Sequence, residues 1–594
     1  MRSATTVLGI IRKRGERGLP LENVYRQLYN PDLYLCAYGR LYANKGAMTS
    51  GTTGETADGM ALAKITALIS ALRTERYRWS PVKRAYVAKK SGKLRPLGLP
   101  SWSDKLLGDV IRSILDAYYD PQFSERSHGF RPGRGCHTAL RTIQQGWRGT
   151  KWFIEGDIAA CFERLDHGVL VGILREKIHD NRFLRLIERM LQAGYLEDWR
   201  WQATLSGTPQ GHIASPVLSN CYLDRLDQFV ETTLLPQYNR GDSRQRNGAH
   251  TRLREMAQRR RKRGAHAEAK ALIKQSRRLP SVDPNDPDFR RLRYLRYADD
   301  FLLGFDGPKH EAEEITRHLG AFLRDHLKLE LSAEKTLITH ARTQRARFLG
   351  YEIVTRWANH HLDASGRRSL NGSIGLRVPQ DVLDRHCRDH SKKGKPIHRG
   401  VLIHDSDYAI VAMYQARYRG LVQYYALAEN IAWFHRLHWV MLTSLLKTLA
   451  GKHKTTVTKM WRKYAASVET EHGRLTCLQV TVPRGDKTPL VARFGGIPLR
   501  REPWAILIDR TTPILRGRNE LVKRLLAQRC ELCGNEEDIE VHHIRKLADL
   551  KRHGRADRPA WMIRMSALRR KTLVTCRSCH TAIHHGTLTA RIPT

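Results

Sequence analysis

The sequence predicts a multidomain chain of the α+β class, and three observations carry that prediction. At 594 residues and 41% hydrophobic content, the chain is long enough for several domains and apolar enough for real cores. Residues 1 to about 240 mix helical and strand patterns punctuated by Gly and Pro, whereas about 405–465 reads as helix. The last segment carries two Cys-x-x-Cys units, Cys530/Cys533 and Cys576/Cys579, which mark a small metal-stapled module.

The 103 Lys and Arg residues against 59 Asp and Glu give a net charge of +44. Such an excess on a folded chain argues for a polyanionic partner, nucleic acid first. Anionic membrane is the competing partner, but the chain has no apolar run of 18 residues and no signal peptide, so no membrane is expected. The basic stretch Met1–Gly18 could be taken for a transit peptide; it is read as the start of the first domain. Cys36, Cys136, Cys161, Cys221, Cys387 and Cys477 stand singly and read as reduced thiols. Without a secretory signal, the paired units indicate zinc rather than disulfides.

Two apolar segments end on acids. Arg293-Leu-Tyr-Leu-Arg296 runs into Tyr297-Ala298-Asp299-Asp300 and Phe301-Leu-Leu-Gly-Phe305 runs out, which predicts a β-hairpin with the two acids at its turn. Upstream, Trp152-Phe-Ile-Glu-Gly ends on Asp157. An isolated Asp-Asp pair is more often a surface turn. A third acid ending a separate strand changes that reading. Acids from two strands can converge on two Mg²⁺ ions about 4 Å apart, the arrangement that drives in-line phosphoryl transfer.

Between Tyr238 and Pro287 the character changes to Arg259-Arg-Arg-Lys-Arg263, Arg277-Arg278 and Asp283-Pro-Asn-Asp-Pro287. A disordered basic loop is one reading; an insertion that contacts RNA is the other, favoured because strand pattern resumes at Arg293. Residues 314–330 read as helix and Arg347-Phe-Leu-Gly-Tyr-Glu-Ile353 as strand. Farther on, Tyr414, Tyr418, Leu421, Val422 and Tyr425 share a helical face, a stripe that is more often core than stacking platform. The cations beside it, Lys447, Lys452, His453 and Lys454, are candidates for phosphate contact. Leu475–Val482 reads as a strand.

With these features assembled, the first nine-tenths of the chain resembles the reverse transcriptases encoded within group II introns. The blocks stand in the family's order. Asn30-Pro-Asp-Leu-Tyr34 and Asn44-Lys-Gly-Ala-Met48 look like its N-terminal extension. Lys93-Leu-Arg-Pro-Leu-Gly-Leu-Pro100, Ser127-His-Gly-Phe-Arg-Pro-Gly133, Thr208-Pro-Gln-Gly211, Tyr297–Asp300 and Phe348-Leu-Gly-Tyr351 look like fingers and palm. The resemblance implies a right-hand polymerase of fingers and palm with a helical thumb, a small DNA-binding region and a zinc-stapled ββα-metal (HNH) module. It further implies that Asp157, Asp299 and Asp300 hold two Mg²⁺. Phe162 would lie beneath the incoming sugar and exclude a 2′-hydroxyl, so the product would be DNA; a core Phe is the alternative. Lys89 and Arg95, either side of a Ser91-Gly92 turn, would present two cations to one triphosphate, and Gln210 would line the nucleotide pocket.

The C-terminal set Cys530-Glu-Leu-Cys533, Glu540-Val-His-His-Ile544, Cys576-Arg-Ser-Cys-His580 and His584 resembles HNH endonucleases. Four thiolates suit a closed tetrahedral Zn²⁺ site that staples a slight core. His580 and His584, four apart on a helix, can share a divalent ion. By resemblance His542 completes that set and His543 activates the attacking water. A zinc-bound DNA-contact module with incidental histidines is the alternative. One departure stands out: residues 544–575 contain no Asn, although an Asn orients the family's general base. Lys571 lies near its place, and Asp549 or Asp557 are possible substitutes.

The expected domains are fingers and palm over 1–375, with the basic insertion at about 238–290; thumb or maturase domain over 376–465; DNA-binding region over 466–515; and HNH module over 516–594. The implied protein copies RNA into DNA with dNTPs, assists splicing of its group II intron RNA, and nicks target double-stranded DNA to prime copying. A relic splicing factor and a retron- or defence-type reverse transcriptase are the rival readings. A bacterial cytoplasm, at the nucleoid, is the expected location, with an organelle as alternative.

Overall fold

A computed structural model describes residues 2–44, 46–88, 92, 94–197, 200–202, 207, 212–364, 368–485, 487–507, 519–550 and 559–588. It is a mixed α and β chain of several parts, and none of its described helices is long and apolar enough to cross a membrane. At its centre lies a five-stranded sheet in the order Leu337–His340, Trp152–Asp157, Asp300–Asp306, Arg291–Tyr297 and Ser127–His128. The run Phe301-Leu-Leu-Gly-Phe305 is apolar throughout because this central strand is covered on both sides. Phe301, Leu303 and Phe305 enter one core, while Leu302 enters a second core with Phe153 and Leu295.

The N-terminal basic stretch is a helix, Ala4–Glu16, as expected for the start of a domain. In Asn30-Pro31-Asp32 the Asn30 side chain accepts from the Asp32 N–H and Pro31 occupies the first turn, so the motif starts the helix Pro31–Leu41. Arg40 on that helix pairs with buried Asp109 of the helix Trp102–Tyr119. The expected fingers hairpin joins Val82–Ala88 to Leu94–Leu99, with Arg95 opposite Val87.

The basic insertion is folded rather than disordered in its described residues. Helices Gly248–Lys262 and His266–Ser276 form a hairpin, and Arg240 and Arg290 exchange main-chain hydrogen bonds at its base. Arg259 to Arg263 remain exposed along its tip. The segment read as one strand around Phe348 is instead two, Ala346–Phe348 and Tyr351–Thr355. Leu349 and Gly350 both take positive φ (48° and 73°), which turns the chain back on itself in a two-residue hairpin.

In the thumb, helices Asp407–Tyr424 and Phe434–Lys452 bury Tyr414, Tyr418, Val422 and Tyr425, so the aromatic stripe is core. Three of the four cations beside it are engaged within the protein. Lys447 Nζ donates to the Pro396 carbonyl (2.7 Å), and Lys452 and His453 both meet Asp407 (2.6 and 2.7 Å). The expected strand near 475–482 is Gly473–Arg484, in a three-stranded antiparallel sheet with Ala465–Thr470 and Lys487–Gly495. That sheet packs on the thumb: Gln415 exchanges hydrogen bonds with Gly495 in both directions, and Phe494 stacks on His438.

The C-terminal module has the ββα form, with strands Ile539–His543 and Thr572–Cys576 followed by helix Arg577–His585. Its apolar residues, among them Val522, Leu525, Val541 and Val574, belong to the same continuous core as Tyr38, Leu41 and Trp102 of the N-terminal part. The C-terminal module is therefore packed into the body of the protein.

Behind the central hairpin, Arg296 is fully buried against Asp227 in a bidentate pair (Nη2–Oδ2 2.6 Å, Nε–Oδ1 2.8 Å). Its remaining N–H groups reach Ser127 Oγ and the carbonyl of Ala298 (both 2.8 Å), and Tyr294 donates its hydroxyl proton to the same Asp227 (2.7 Å). Removing one partner of such a pair strands the other charge. Asp227→Ala is expected to destabilise the palm by about 3–5 kcal/mol, whereas pairing it with Arg296→Met restores much of that loss. Thermal melting of the two variants checks this. Primer extension is expected to stay impaired in both, because Ala298 has lost its brace.

Candidate active sites

The palm register places the three predicted acids together. Asp157 stands directly opposite Asp300 on neighbouring antiparallel strands, and Asp300 pairs with Tyr297 across the Ala298-Asp299 turn. Ala298 takes φ 55°, unfavourable for a residue with a side chain, and is fixed from both sides. Its N–H donates to the His128 carbonyl (2.9 Å) and its own carbonyl accepts from Arg296. A cleft of about 700 Å³ opens in front, lined by Asp157, Asp300, Lys335 and Phe348 among others.

The electrostatics of this cleft suit cations. Withdrawal from water, then the carboxylates of Asp299 and Asp157, push Asp300 up to about 7. Burial and Asp157 likewise raise Asp299, with the charge of Arg95 opposing. One cation already answers the acids: Lys335 Nζ lies 2.8 Å from Asp157 Oδ2 on an exposed side chain. Sequence reasoning missed Lys335. A lysine in Ser-Ala-Glu-Lys-Thr has no local mark, and only the neighbouring strand pairing brings it to Asp157.

Phe162 follows Asp157 on the short helix Cys161–Arg164 and is half-buried, its ring edge-on to Phe130 (centroids 6.3 Å) from the Ser127–Gly133 block. It is therefore partly exposed rather than in the core. Arg95 is exposed on the fingers hairpin. The other two expected nucleotide contacts, Lys89 and Gln210, lie outside the described residues.

In the C-terminal module, Cys530, Cys533, Cys576 and Cys579 bring their sulfurs within 4.8 Å of one another. All ten cysteines are free thiols. Four thiols so close are a donor set for a tetrahedral zinc and tie the segment before the first strand to the start of the helix.

The four predicted histidines divide between the faces of a strand, as adjacent strand residues do. His542 meets His580 and His584, with ring centroids 5.2 Å from each. His543 turns the other way, where its Nε2 hydrogen-bonds with the Tyr38 hydroxyl (2.9 Å). Burial keeps His543 low, at about 3, and so neutral. His580 Nδ1–H donates to the Glu540 carboxylate (2.8 Å), which aims its Nε2 at the cluster.

One member of this cluster comes from outside the module. Asp58, in the N-terminal segment, faces His584 Nε2 at 2.8 Å, His580 Nε2 at 3.2 Å and His542 Nδ1 at 3.4 Å, and accepts the His543 main-chain N–H at 2.7 Å. Burial opposes its ionisation, but the surrounding histidines and that N–H hold its carboxyl well below the usual range. Of the expected substitutes for the missing Asn, the two that are described bond elsewhere. Lys571 gives its carbonyl to the Ile544 N–H, Asp549 caps the Lys546 N–H, and Asp557 lies outside the described residues.

Comparison with known proteins finds three families along the chain. The family "Reverse transcriptase (RNA-dependent DNA polymerase)" matches residues 87–353, "Type II intron maturase" matches 383–484, and "AI2M/AI1M-like, HNH endonuclease" matches 530–580. The chain is 38% identical to the group II intron-encoded protein LtrA of Lactococcus lactis, covering 98% of this chain and 100% of that one. It is 32% identical to a 91 kDa protein in the cob intron of Schizosaccharomyces pombe, over 96% of this chain and 70% of that one. A putative COX1/OXI3 intron 1 protein of Saccharomyces cerevisiae is 30% identical, over 95% and 69%.

The raised Asp300 sets a pH dependence. Its ionisation in the folded chain is unfavourable, so the strain of crowded carboxylates is absent below about pH 4, grows as pH rises, and is complete above about 7. A divalent cation relieves that strain only where the acids are ionised. The rise in melting temperature on adding Mg²⁺ is therefore expected to be larger at pH 8 than at pH 5.5. In Asp300→Asn the difference between the two pH values is expected to shrink; an undiminished difference would place its origin elsewhere.

Proposed function

The chain belongs to the group II intron-encoded proteins, with reverse transcriptase, intron maturase and HNH endonuclease in one polypeptide, and from that premise we propose which residues carry each activity. Copying RNA into DNA falls to the palm. The observation that supports this most is the register that sets Asp157 against Asp300 beside Asp299. Two Mg²⁺ held by these acids would supply activation of the primer 3′-hydroxyl and neutralisation of the triphosphate leaving group. The protein's own groups do the rest. Lys335 balances the carboxylates, Arg95 and Lys89 draw the triphosphate of a dNTP, Gln210 lines its pocket, and Phe162 refuses a 2′-hydroxyl.

Splicing assistance is electrostatic and shape-based, since the intron RNA supplies its own chemistry. The exposed tip of the insertion, Arg259 to Arg263, is a better candidate for phosphate contact than Lys447, Lys452 and His453, which are already bonded within the protein. The proposed domains remain fingers and palm to about 375, thumb to about 465, DNA-binding region to about 515 and nuclease beyond.

Nicking of target double-stranded DNA falls to the C-terminal module, with zinc on the four cysteines as its staple. His542, with both ring nitrogens buried and lacking a hydrogen bond, fits a divalent ion shared with His580 and His584. That ion would steady the scissile phosphate and leaving oxygen. His543 is the proposed general base. In that role Nε2–H donates to the Tyr38 oxygen, leaving Nδ1 to accept the proton from water. The nick then provides the 3′-hydroxyl that the palm extends, which places both activities in one insertion reaction at the bacterial chromosome.

Separation of function tests the assignments. Asp299→Ala is expected to abolish primer extension on an RNA template while splicing assistance persists; loss of both would sink the division. His543→Ala is expected to slow nicking about 10²- to 10⁴-fold with primer extension intact. Neutralising Arg259 to Arg263 is expected to flatten the salt dependence of intron RNA binding, by about one slope unit per lost phosphate contact.

A further inference from the structure

We infer that the nuclease centre is built from both ends of the chain, with Asp58 of the N-terminal segment serving as a ligand to its divalent cation beside His542, His580 and His584. The inference rests on reading those histidines as the cation site.

The four groups form a donor set. One ligand atom from each lies within 4.8 Å of the others. His580 and His584 bring two Nε2 atoms to 3.2 Å, each also facing an Asp58 oxygen. Glu540 holds the far nitrogen of His580, so the near one is fixed toward the same point. His542 supplies an independent indication. Its side chain is 5% exposed, and neither ring nitrogen has a hydrogen bond, although Asp58 stands 3.4 Å away. A buried imidazole left so is costly, and a cation among these four groups would satisfy it.

Asp58 is delivered to this place by its backbone. The Gly59 N–H donates to the Val541 carbonyl (3.0 Å) and the Val541 N–H to the Met60 carbonyl (2.9 Å), so the segment adds an antiparallel rung to the edge of the nuclease ribbon. Gly59 takes φ +68°, a left-handed conformation that side chains rarely adopt, which lets the chain turn as Asp58 enters the cluster. On either side, Ala57 bonds to the Ala47 carbonyl and Met60 is buried against Trp102. The carboxylate is thus anchored in the body of the protein while its oxygens sit among the module's histidines.

The chemistry suits this arrangement. Three neutral imidazoles leave the charge of a dication uncompensated, and one carboxylate oxygen halves it. Three nitrogens and one carboxylate oxygen would suit a divalent transition-metal ion such as Mn²⁺, with room for a phosphate oxygen and water. Asp58 gained no mark from the sequence because it lies in an ordinary Thr-Ala-Asp-Gly turn, 485 residues from His543.

Mn²⁺ binding to the full-length chain, followed by the electron paramagnetic resonance of the ion, tests the inference. Asp299→Asn and Asp300→Asn are introduced first so that the palm does not compete. Asp58→Ala is expected to weaken Mn²⁺ binding at least about tenfold, as His584→Ala does, and Asp58→Glu to weaken it less. With the palm intact, Asp58→Ala is expected to nick target duplex slowly and to recover in part at high Mn²⁺, while primer extension at the usual rate reports a folded chain. Unchanged Mn²⁺ affinity in Asp58→Ala, or nicking at or above the unsubstituted rate, would overturn the role of Asp58 and leave the histidine site standing. Unchanged affinity in both Asp58→Ala and His584→Ala would remove the cation site and the inference with it.

Discussion

Three carboxylates that repel one another are held together at one turn of the palm, and much of the palm serves to keep them there. The acids gain nothing from one another, so rigid backbone has to hold them. Strand pairing sets Asp157 against Asp300, and the turn that carries Asp299 is clamped through Ala298. The clamp leads back to Arg296, whose charge is neutralised by Asp227 in a fully buried pair. Two apolar cores, one on each face of the strand Asp300–Asp306, keep that pair buried. A buried ion pair is weak evidence of stability in general. Here its use is positional: the N–H groups of a fixed fork tie Ser127 and the helix carrying Asp227 to the turn at Ala298.

The same clamp explains why the palm was legible in the sequence. The Asp-Asp pair sits between two apolar strands, and a hairpin is local, so its acids, its apolar run and its turn lie side by side in the chain. Asp157 was legible because it too ends an apolar strand. The cysteine cluster and the histidine cluster were legible for a similar reason, since spacing within a strand or a helical turn brings their side chains together. The break at Leu349-Gly350 was hidden because a single glycine in an apolar run reads as strand, and only the left-handed conformation of both residues reveals the turn.

What stayed hidden was long-range. Lys335, Asp227, Tyr38 and Asp58 are single residues of common types whose roles depend on which distant segment packs beside them. Composition misled in the thumb as well. Lys447, Lys452 and His453 form a basic run in sequence, yet main-chain carbonyls and Asp407 occupy them, and a count of charges cannot tell a committed cation from an available one. The basic insertion reverses the case, because its helices leave Arg259 to Arg263 facing water.

The rung between Gly59 and Val541 also carries a consequence for how the protein is made. Synthesis runs from the N-terminus at about 5–20 residues per second, so 485 residues separate Asp58 from its partner strand by roughly 25 to 100 s. Everything the palm needs has left the ribosome by then. If Asp58 completes the cutting centre, a chain still being translated or broken before its last domain is able to copy RNA but unable to open DNA. The order of synthesis would then keep chromosome cleavage for the finished molecule, where an enzyme that can extend the cut end is already folded beside it.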